Sequence, residues 1–496
     1  MDRFCKFVLV FLFAFSAALA EEVPVDTTKA DGDATGAVNE DETASSIGWR
    51  DVLAWPFVHV VQPVFGVLVY PVAQPIHYAF DNGVIEKSVD LITFGENRNI
   101  LIYPVMNLKP GSSTMLGANY RHRSLLLSRD YLVLEPQFFA NGDWYFSFRY
   151  TKQGILGLPL YGAFRYQQYW DSDAVFVVPG TKNAYVQPDS SINLSWRLSA
   201  PLTSSRHLNL TGSIGYRFND ASLPTKSADS ILVSEEFPIT ARGLYQHEYQ
   251  VPLELSLLFD NLDYPFAPTK GSRISLSGRY VMVGAYSGMD YDEYEFTGVH
   301  KNNIYDDDGA NHNFFRTEFV YQQYIYLGKA GNFHMSPKEA RENRRFYTDF
   351  NWDDALRIWH PDNVKTTLFE RRVLAFQFRM INVWEVEKGE APFNAFPYVN
   401  NRFPMRGYSN QFSNYHVMGF SMEYRWPVDR FVDGVLFDEY ALHAPEIDDW
   451  SFERYYNSWG FGVRVRRPDM FWFRVQFGFH GLHGVNLVMT IAPEYR

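Results

Sequence analysis

Three stretches carry residue types whose spacing could support chemistry. "YDDDGANHN", residues 305 to 313, spaces its aspartates like the start of a calcium loop. The fifth ligand position falls on Ala310, however, and no glutamate closes the loop, so it reads as a solvated loop. His480 and His483 in "HGLHG" sit near a strand end without companion ligands, which argues against a metal site. "NRFPMRGYSNQF", residues 401 to 412, is different, because it places Arg406 and Gly407 among aromatics in a long loop between two alternating stretches. A guanidinium is always charged and forks to carboxylate oxygens in pairs, so it suits a buried ion pair better than lysine does. No Gly-x-Ser-x-Gly elbow, His-Glu-x-x-His pair or phosphate loop occurs. The expectation is a protein without catalytic residues, metal or cofactor.

The elements that must position Arg406 announce themselves by a period of two. In "SINLSWRLSA" Ile192, Leu194, Trp196 and Leu198 alternate with Asn193, Ser195, Arg197 and Ser199. "HLNLTGSIGYRFN" sets Leu208, Leu210, Ile214, Tyr216 and Phe218 against Asn209, Thr211, Ser213 and Arg217. "SRISLSGRYVM" and "FWFRVQFGFH" repeat the pattern, with Arg273, Arg279, Arg474 and Gln476 on the polar side. Successive side chains of a strand face opposite sides, so each stretch is a strand with one apolar and one polar face. The apolar faces are large and aromatic, while the polar faces carry groups that a packed sandwich core could not leave unpaired. That combination predicts an all-β fold: a transmembrane antiparallel β-barrel with lipid outside and a polar lumen. Residues 100 to 496 hold about 16 segments of the ~10 residues that cross a membrane with tilt. Glu423 shares its parity with Gly419, Ser421 and Arg425, opposite Met418, Phe420, Met422, Tyr424 and Trp426, which turns it toward the lumen.

Composition agrees. Aromatics make up 17% of the 496 residues while mean hydropathy is -0.26, a balance that suits neither a water-soluble core nor a helical membrane protein. The net charge of -12 excludes nucleic acid as a partner, since phosphate binding needs a basic surplus. An acidic secreted β-protein is the competing reading. "MDRFCKFVLVFLFAFSAALA", residues 1–20, has the basic start, apolar run and Ala-Leu-Ala ending of a secretory signal peptide. It contains Cys5, the sole cysteine, so the mature chain would carry no disulfide and no thiolate metal site. Residues 21–48, with eight acidic residues and one lysine, read as a disordered linker. Residues 49–99 include an uncharged run interrupted by Pro56, Pro63, Pro71 and Pro75, each of which breaks a helix, so short pieces packed at the mouth or inside of the barrel are expected there.

"LFDNLDYPFAPTKGSRISLSGRY", with Asp260, Asn261, Asp263, Pro268 and Gly271 as its turn motif, resembles the strand-turn-strand of the BamA-like bacterial surface antigen superfamily of outer-membrane protein insertases. Pro265, Pro268 and Gly271 punctuate a tight turn between alternating strands. "APFNAFPYVNNRFPMRGYSNQF" resembles the long sixth extracellular loop, whose hallmark is Arg-Gly-aromatic, here Arg406, Gly407 and Tyr408. "VMGFSMEYRWPV", "VLFDEYALH" and "SWGFGVRVRRPDMFWFRVQFGF" are similar to the strands that follow it, and "IYPVMNLKPGSSTMLGANY" to the opening hairpin.

The resemblance implies that the loop arginine folds back into the barrel as a structural latch. Its acceptors, carried over by motif, would be Glu423 and Asp438. It also implies a bacterial outer membrane location, lipid as the surrounding partner, and periplasmic or outer-membrane protein partners. The implied role is to assist insertion, assembly or translocation of proteins or lipid. The chain departs from the pattern at "VNNRFP", where paired glycines are usual, and at Gln476, where an aspartate is frequent. It lacks a strand-helix-helix-strand pattern upstream, which places it with the POTRA-less branch. An insertion at 329–371, on the periplasmic side, contains "SPKEARENRR", a capped helix with Ser336 as N-cap, Pro337 at the first position and Glu339 placed for a capping box. Two other functions compete. One is a passive channel, in which inward Arg197, Arg217, Arg273, Arg279, Arg379 and Arg464 would favour anions; the other is an outer-membrane enzyme.

Overall fold

The computed structural model describes residues 92–490 apart from 96, 98, 108–114, 141, 178–183, 205–206, 222–244, 263–267, 270, 289–312, 330–370, 387–390, 392–394, 400–402, 409–410, 413, 428–431, 452–454, 467–470 and 482–483. The expected signal peptide, the linker, nearly all of 49–99, the interior of the 329–371 insertion and the acidic loop before Asn313 lie outside the described residues.

The strands are β1 (Thr93–Phe94), β2 (Ile100–Asn107), β3 (Met115–Arg123), β4 (Asp130–Phe139), β5 (Trp144–Gln153), β6 (Tyr161–Val177), β7 (Ala184–Pro201), β8 (Leu208–Ala221), β9 (Tyr245–Asp260) and β10 (Gly271–Gly288). They continue with β11 (Phe314–Lys329), β12 (Arg371–Glu385), β13 (Tyr398–Val399), β14 (Gln411–Phe412), β15 (His416–Pro427), β16 (Val432–Ala444), β17 (Tyr455–Arg466), β18 (Phe471–His480) and β19 (Gly484–Thr490). All belong to one sheet. Among the described residues its wall is made of sixteen long strands, each antiparallel to its sequence neighbour from β2 to β12 and from β15 to β19, with β12 joined to β15. Two-residue β1 lies antiparallel on the other edge of β2, through Thr93↔Leu101 and Phe94↔Ile100. Among the described residues no register pairs β19 with β2.

The period-two reading carries directly into the two faces. Trp196, Leu198, Ile214, Tyr216, Leu255, Leu276 and Phe477 are exposed on one face, although a water-soluble surface would bury them. The opposite face holds buried polar groups, among them Ser191, Asn219, Gln250, Gln322, Gln377, Glu423 and Gln476. Register keeps the faces coherent from strand to strand: Trp196 lies opposite Phe164 on β6 and Ile214 on β8. A slip of one residue would exchange the faces of an entire strand.

The turn motif closes β9 onto β10. Asp260 Oδ1 accepts the Leu262 N–H at 3.1 Å, Asn261 N–H donates to Ser272 O at 3.0 Å, and Arg273 stands 3.6 Å from the Asp260 carboxylate. Gly271 has φ +109°, and a Cβ there would lie 2.4 Å from Asn261 O, so the turn requires glycine twice over. Pro268 is buried beside it, while Asp263 lies outside the described residues.

Candidate functional site

Between β12 and β15 the chain makes an excursion whose ends are pinned by the short antiparallel pair β13–β14, Tyr398↔Phe412 and Val399↔Gln411. Gln411 also pairs in parallel with Val177 of β6. The excursion packs on the polar inner face of the wall. Val399, Phe403 and Met405 from the loop form one apolar cluster with Ile381, Val417, Ala441 and Tyr456 from the wall, all buried. Burying these loop side chains is what draws the following residue, Arg406, into the interior.

Arg406 is 2% exposed and makes three short charge-assisted hydrogen bonds. Its backbone N–H donates to Glu439 Oε2 at 2.6 Å, its Nε to Glu439 Oε1 at 2.6 Å, and its Nη1 to Glu423 Oε2 at 2.5 Å. Both glutamates are fully buried. The guanidinium carbon stands 3.6 Å from the centroid of the Phe437 ring, which supplies a cation–π contact in a site without water contact. Glu423 shares its other oxygen with Arg425 Nε, and Arg425 in turn lies over Tyr324. Ser421 Oγ is 3.5 Å from Glu439 Oε1. The result is a chain of two arginines and two glutamates, so each buried charge is compensated, as burial of ions demands.

The next two residues tie the loop to the last strands. Gly407 N–H donates to Ser458 Oγ at 2.7 Å, and His480 Nδ1 is 3.2 Å from Gly407 O. Asn486 Nδ2 donates to Arg406 O at 2.9 Å. Tyr408 stacks edge-on against Tyr456 and packs on His480, and its burial raises the phenol above its ordinary value, so it stays neutral. Glycines make the close approach possible on both sides. A Cβ on Gly407 would lie 2.7 Å from Phe479 O, and one on Gly478 would lie 2.5 Å from the Arg406 carbonyl carbon.

The structure brings Arg406, Gly407 and Tyr408 together with Glu423, and corrects the second acceptor. Asp438 is not at the guanidinium; Glu439 is. The register explains this: Ser421 pairs with Glu439 and Glu423 with Phe437, whereas Asp438 pairs with Met422, which is exposed on the outer face. Asp438 Oδ1 accepts instead from Asn457 Nδ2 at 3.3 Å. Parity counted from Glu423 through the hairpin would have found Glu439. Asn486 also had a legible signal, being the one polar side chain of "VNLVM", with Val485 and Met489 exposed on the other face. Ser458 and the backbone role of His480 had none.

The inward arginines are largely engaged. Arg279 Nε donates to Glu254 at 2.8 Å, Arg379 pairs with Glu318 at 2.7 Å, Arg217 Nε donates to Asn219 at 2.8 Å, and Arg273 stands near Asp260. Arg464 is buried opposite Asp433 and Arg474 in the register. A lumen cavity of about 540 Å³ remains beside Ala395 of the loop, lined by Arg197, Arg217, Arg279 and Arg316 with Glu254.

Residues 138–483 match the profile of the Omp85 superfamily domain, about 70% of the chain. The chain belongs to the Omp85 superfamily. Its sheet is thus the wall of that superfamily's membrane-spanning β-barrel, the exposed aromatic face meets lipid, and the polar face lines the lumen. Among solved structures, BamA from Haemophilus ducreyi lacking POTRA domains 1-3 is similar at 12% identity and TM-score 0.48, over 79% of this chain and 69% of that one. CdiB from Acinetobacter baumannii is similar at 9% identity and TM-score 0.43, over 79% of this chain and 59% of that one. CdiB from Escherichia coli is similar at 10% identity and TM-score 0.40, over 80% of this chain and 60% of that one. The chain therefore spans less than two thirds of the two CdiB chains. No curated protein matches the chain.

Proposed function

We propose that this Omp85 barrel resides in a bacterial outer membrane and assists the insertion or passage of polypeptides there, with the Arg406 loop as a structural latch coupled to the closing strand. The observation that carries the reading is the hydrogen bond from Asn486 on β19 to Arg406 O at 2.9 Å. It connects the last strand of the wall to a loop whose other end is held by Glu423 and Glu439 on β15 and β16. A strand edge that is not fully paired is a template for an incoming strand. On the β2 side of the seam, β1 occupies only Ile100 and Leu101, and Pro104 has no N–H to offer. Displacing β19 outward at the seam would pull on Asn486, so the loop reports on and resists movement of that strand. The proposal assigns no catalytic chemistry and no cofactor.

The test is a cysteine crosslink across the seam, between β2 and β19, in barrel reconstituted into liposomes. The oxidised protein should fail to accelerate insertion of a small outer-membrane barrel substrate, and reduction should restore it. Equal activity in both states, or no acceleration over empty liposomes, would refute the assignment. The lumen arginines favour an anion channel as the second reading. It predicts steady, anion-selective conductance that the disulfide leaves intact.

A further inference from the structure

The outer wall carries a second feature that the loop does not involve. On strands β5 to β8, next to the turns opposite the Arg406 loop, a groove of about 510 Å³ opens on the lipid-facing side. Its walls are Phe164, Trp196, Leu198 and Ile214, and its floor includes Gly162 and Gly212. The register places these residues on one face: Phe164 opposite Trp196, Trp196 opposite Ile214, Gly162 opposite Leu198 and Leu198 opposite Gly212. The groove is open over Gly212, where a Cβ would meet nothing within 4 Å, while Ile155 covers Gly162, its Cδ1 2.7 Å from where a Cβ would stand.

The groove ends at a cation. Lys152 pairs with Gly162 across β5 and β6, and its Nζ donates to Ser128 O in the adjacent turn. Arg129 is exposed in that same turn. Around them the turns are apolar in a way that water would disfavour: Leu126 is 71% exposed and Leu156 91% exposed, with Leu158 and Leu202 also exposed. This rim is no slack loop. Asp130 accepts the N–H groups of Leu125, Leu126 and Leu127 at 2.8, 2.9 and 2.6 Å, together with the Tyr150 hydroxyl, so the leucines are held outward.

We propose that this sector is a seat for an anionic phospholipid, with an acyl chain in the groove over Gly212 and the phosphate headgroup at Lys152 and Arg129. The occupant follows from position: the groove is continuous with the lipid-facing band of the barrel, its lining is largely apolar, and at its end two cations, Lys152 and Arg129, stand against one carboxylate, Asp130, whose oxygens are taken up by the turn amides and the Tyr150 hydroxyl. Leucines of the turns sit beside the headgroup level and shield the seat from water, as apolar residues do at a membrane interface. The inference rests on the barrel spanning a membrane and is independent of the insertase reading.

Trp196 is a built-in reporter. The chain would be refolded into phosphatidylcholine vesicles containing phosphatidylglycerol, with bromine on the acyl chains of one lipid or the other. The Trp196 component is the quenching lost in Trp196→Phe. Brominated phosphatidylglycerol should associate with it at least fivefold better than brominated phosphatidylcholine, since each cation beside an anionic headgroup contributes about fivefold. Lys152→Gln should lower that preference about fivefold, and adding Arg129→Gln should bring the ratio to one. Gly212→Leu, whose Cβ would meet nothing within 4 Å, should remove the preference as well. Equal quenching by the two lipids in the unaltered chain would overturn the proposal, as would a preference that Lys152→Gln leaves unchanged or that survives Gly212→Leu.

Discussion

Removing the Glu439 carboxylate tests the latch most sharply. Glu439→Ala would leave the Arg406 backbone N–H and Nε without their shared acceptor, at 2.6 Å each, and would leave Ser421 Oγ without it as well. Arg406 is 2% exposed, so water cannot take the carboxylate's place unless the loop moves. Removing one partner from a buried ion pair costs about 3–5 kcal/mol, because the remaining charge is left uncompensated. The wall itself stays held by its backbone ladders, so the energy is released locally, by expulsion of the loop. At 1.36 kcal/mol per tenfold, loop opening should become roughly 150- to 5000-fold more frequent. Hydrogen exchange of the amides of residues 403–408, and protease cleavage at Arg406, would read this directly in detergent-solubilised barrel.

Asp438→Ala is the matched control. It removes a carboxylate one residue away, on the outer face, whose partners are Asn457 and Tyr440. Outer-face substitutions away from such networks stay within about 0.5 kcal/mol. Loop exchange in Asp438→Ala should equal that of the unaltered chain. If Asp438→Ala opens the loop as strongly as Glu439→Ala, or if Glu439→Ala leaves exchange unchanged, the buried network does not hold the loop. Arg406→Ala together with Glu439→Ala should cost less than the sum of the two single changes, since both delete the same interaction.

Three further perturbations probe the same architecture. Gly407→Ala places a Cβ 2.7 Å from Phe479 O and 2.8 Å from Ser458 Oγ, so the loop should leave the wall and cleavage at Arg406 should rise while the folded barrel persists. Gly271→Ala combines φ +109° with a Cβ 2.4 Å from Asn261 O, and should lower stability by about 1–3 kcal/mol, seen as a lower urea midpoint. Asp130→Ala removes the acceptor of three turn amides, and each unmet donor costs about 1–3 kcal/mol unless water reaches it; the amides of Leu125, Leu126 and Leu127 should exchange faster, with no change at residues 403–408.

How far the sequence could be read depended on whether the controlling physics was local. Strand identity was local: Ile192 to Leu198 and Leu208 to Phe218 alternate because each strand has one side in lipid and one in the lumen, and the structure exposes Trp196, Leu198 and Ile214 accordingly. Gly271 was local too, since a turn needing a left-handed residue selects glycine wherever the turn lies. The second latch acceptor was not local. Asp438 and Glu439 are adjacent acidic residues with opposite faces, and only the pairing of β15 with β16 decides which one meets Arg406. That pairing has Pro427 opposite Asp433, and a slip of one residue would have turned Asp438 inward. Family likeness pointed to Asp438, whereas the pairing of Glu423 with Phe437 turns Glu439 inward in its place. Ser458, His480 and Asn486 meet the loop across 51 to 80 residues of chain, where no periodicity reaches. What makes them a site is the barrel's curvature, which sets the faces of β17, β18 and β19 against a loop anchored on β15 and β16.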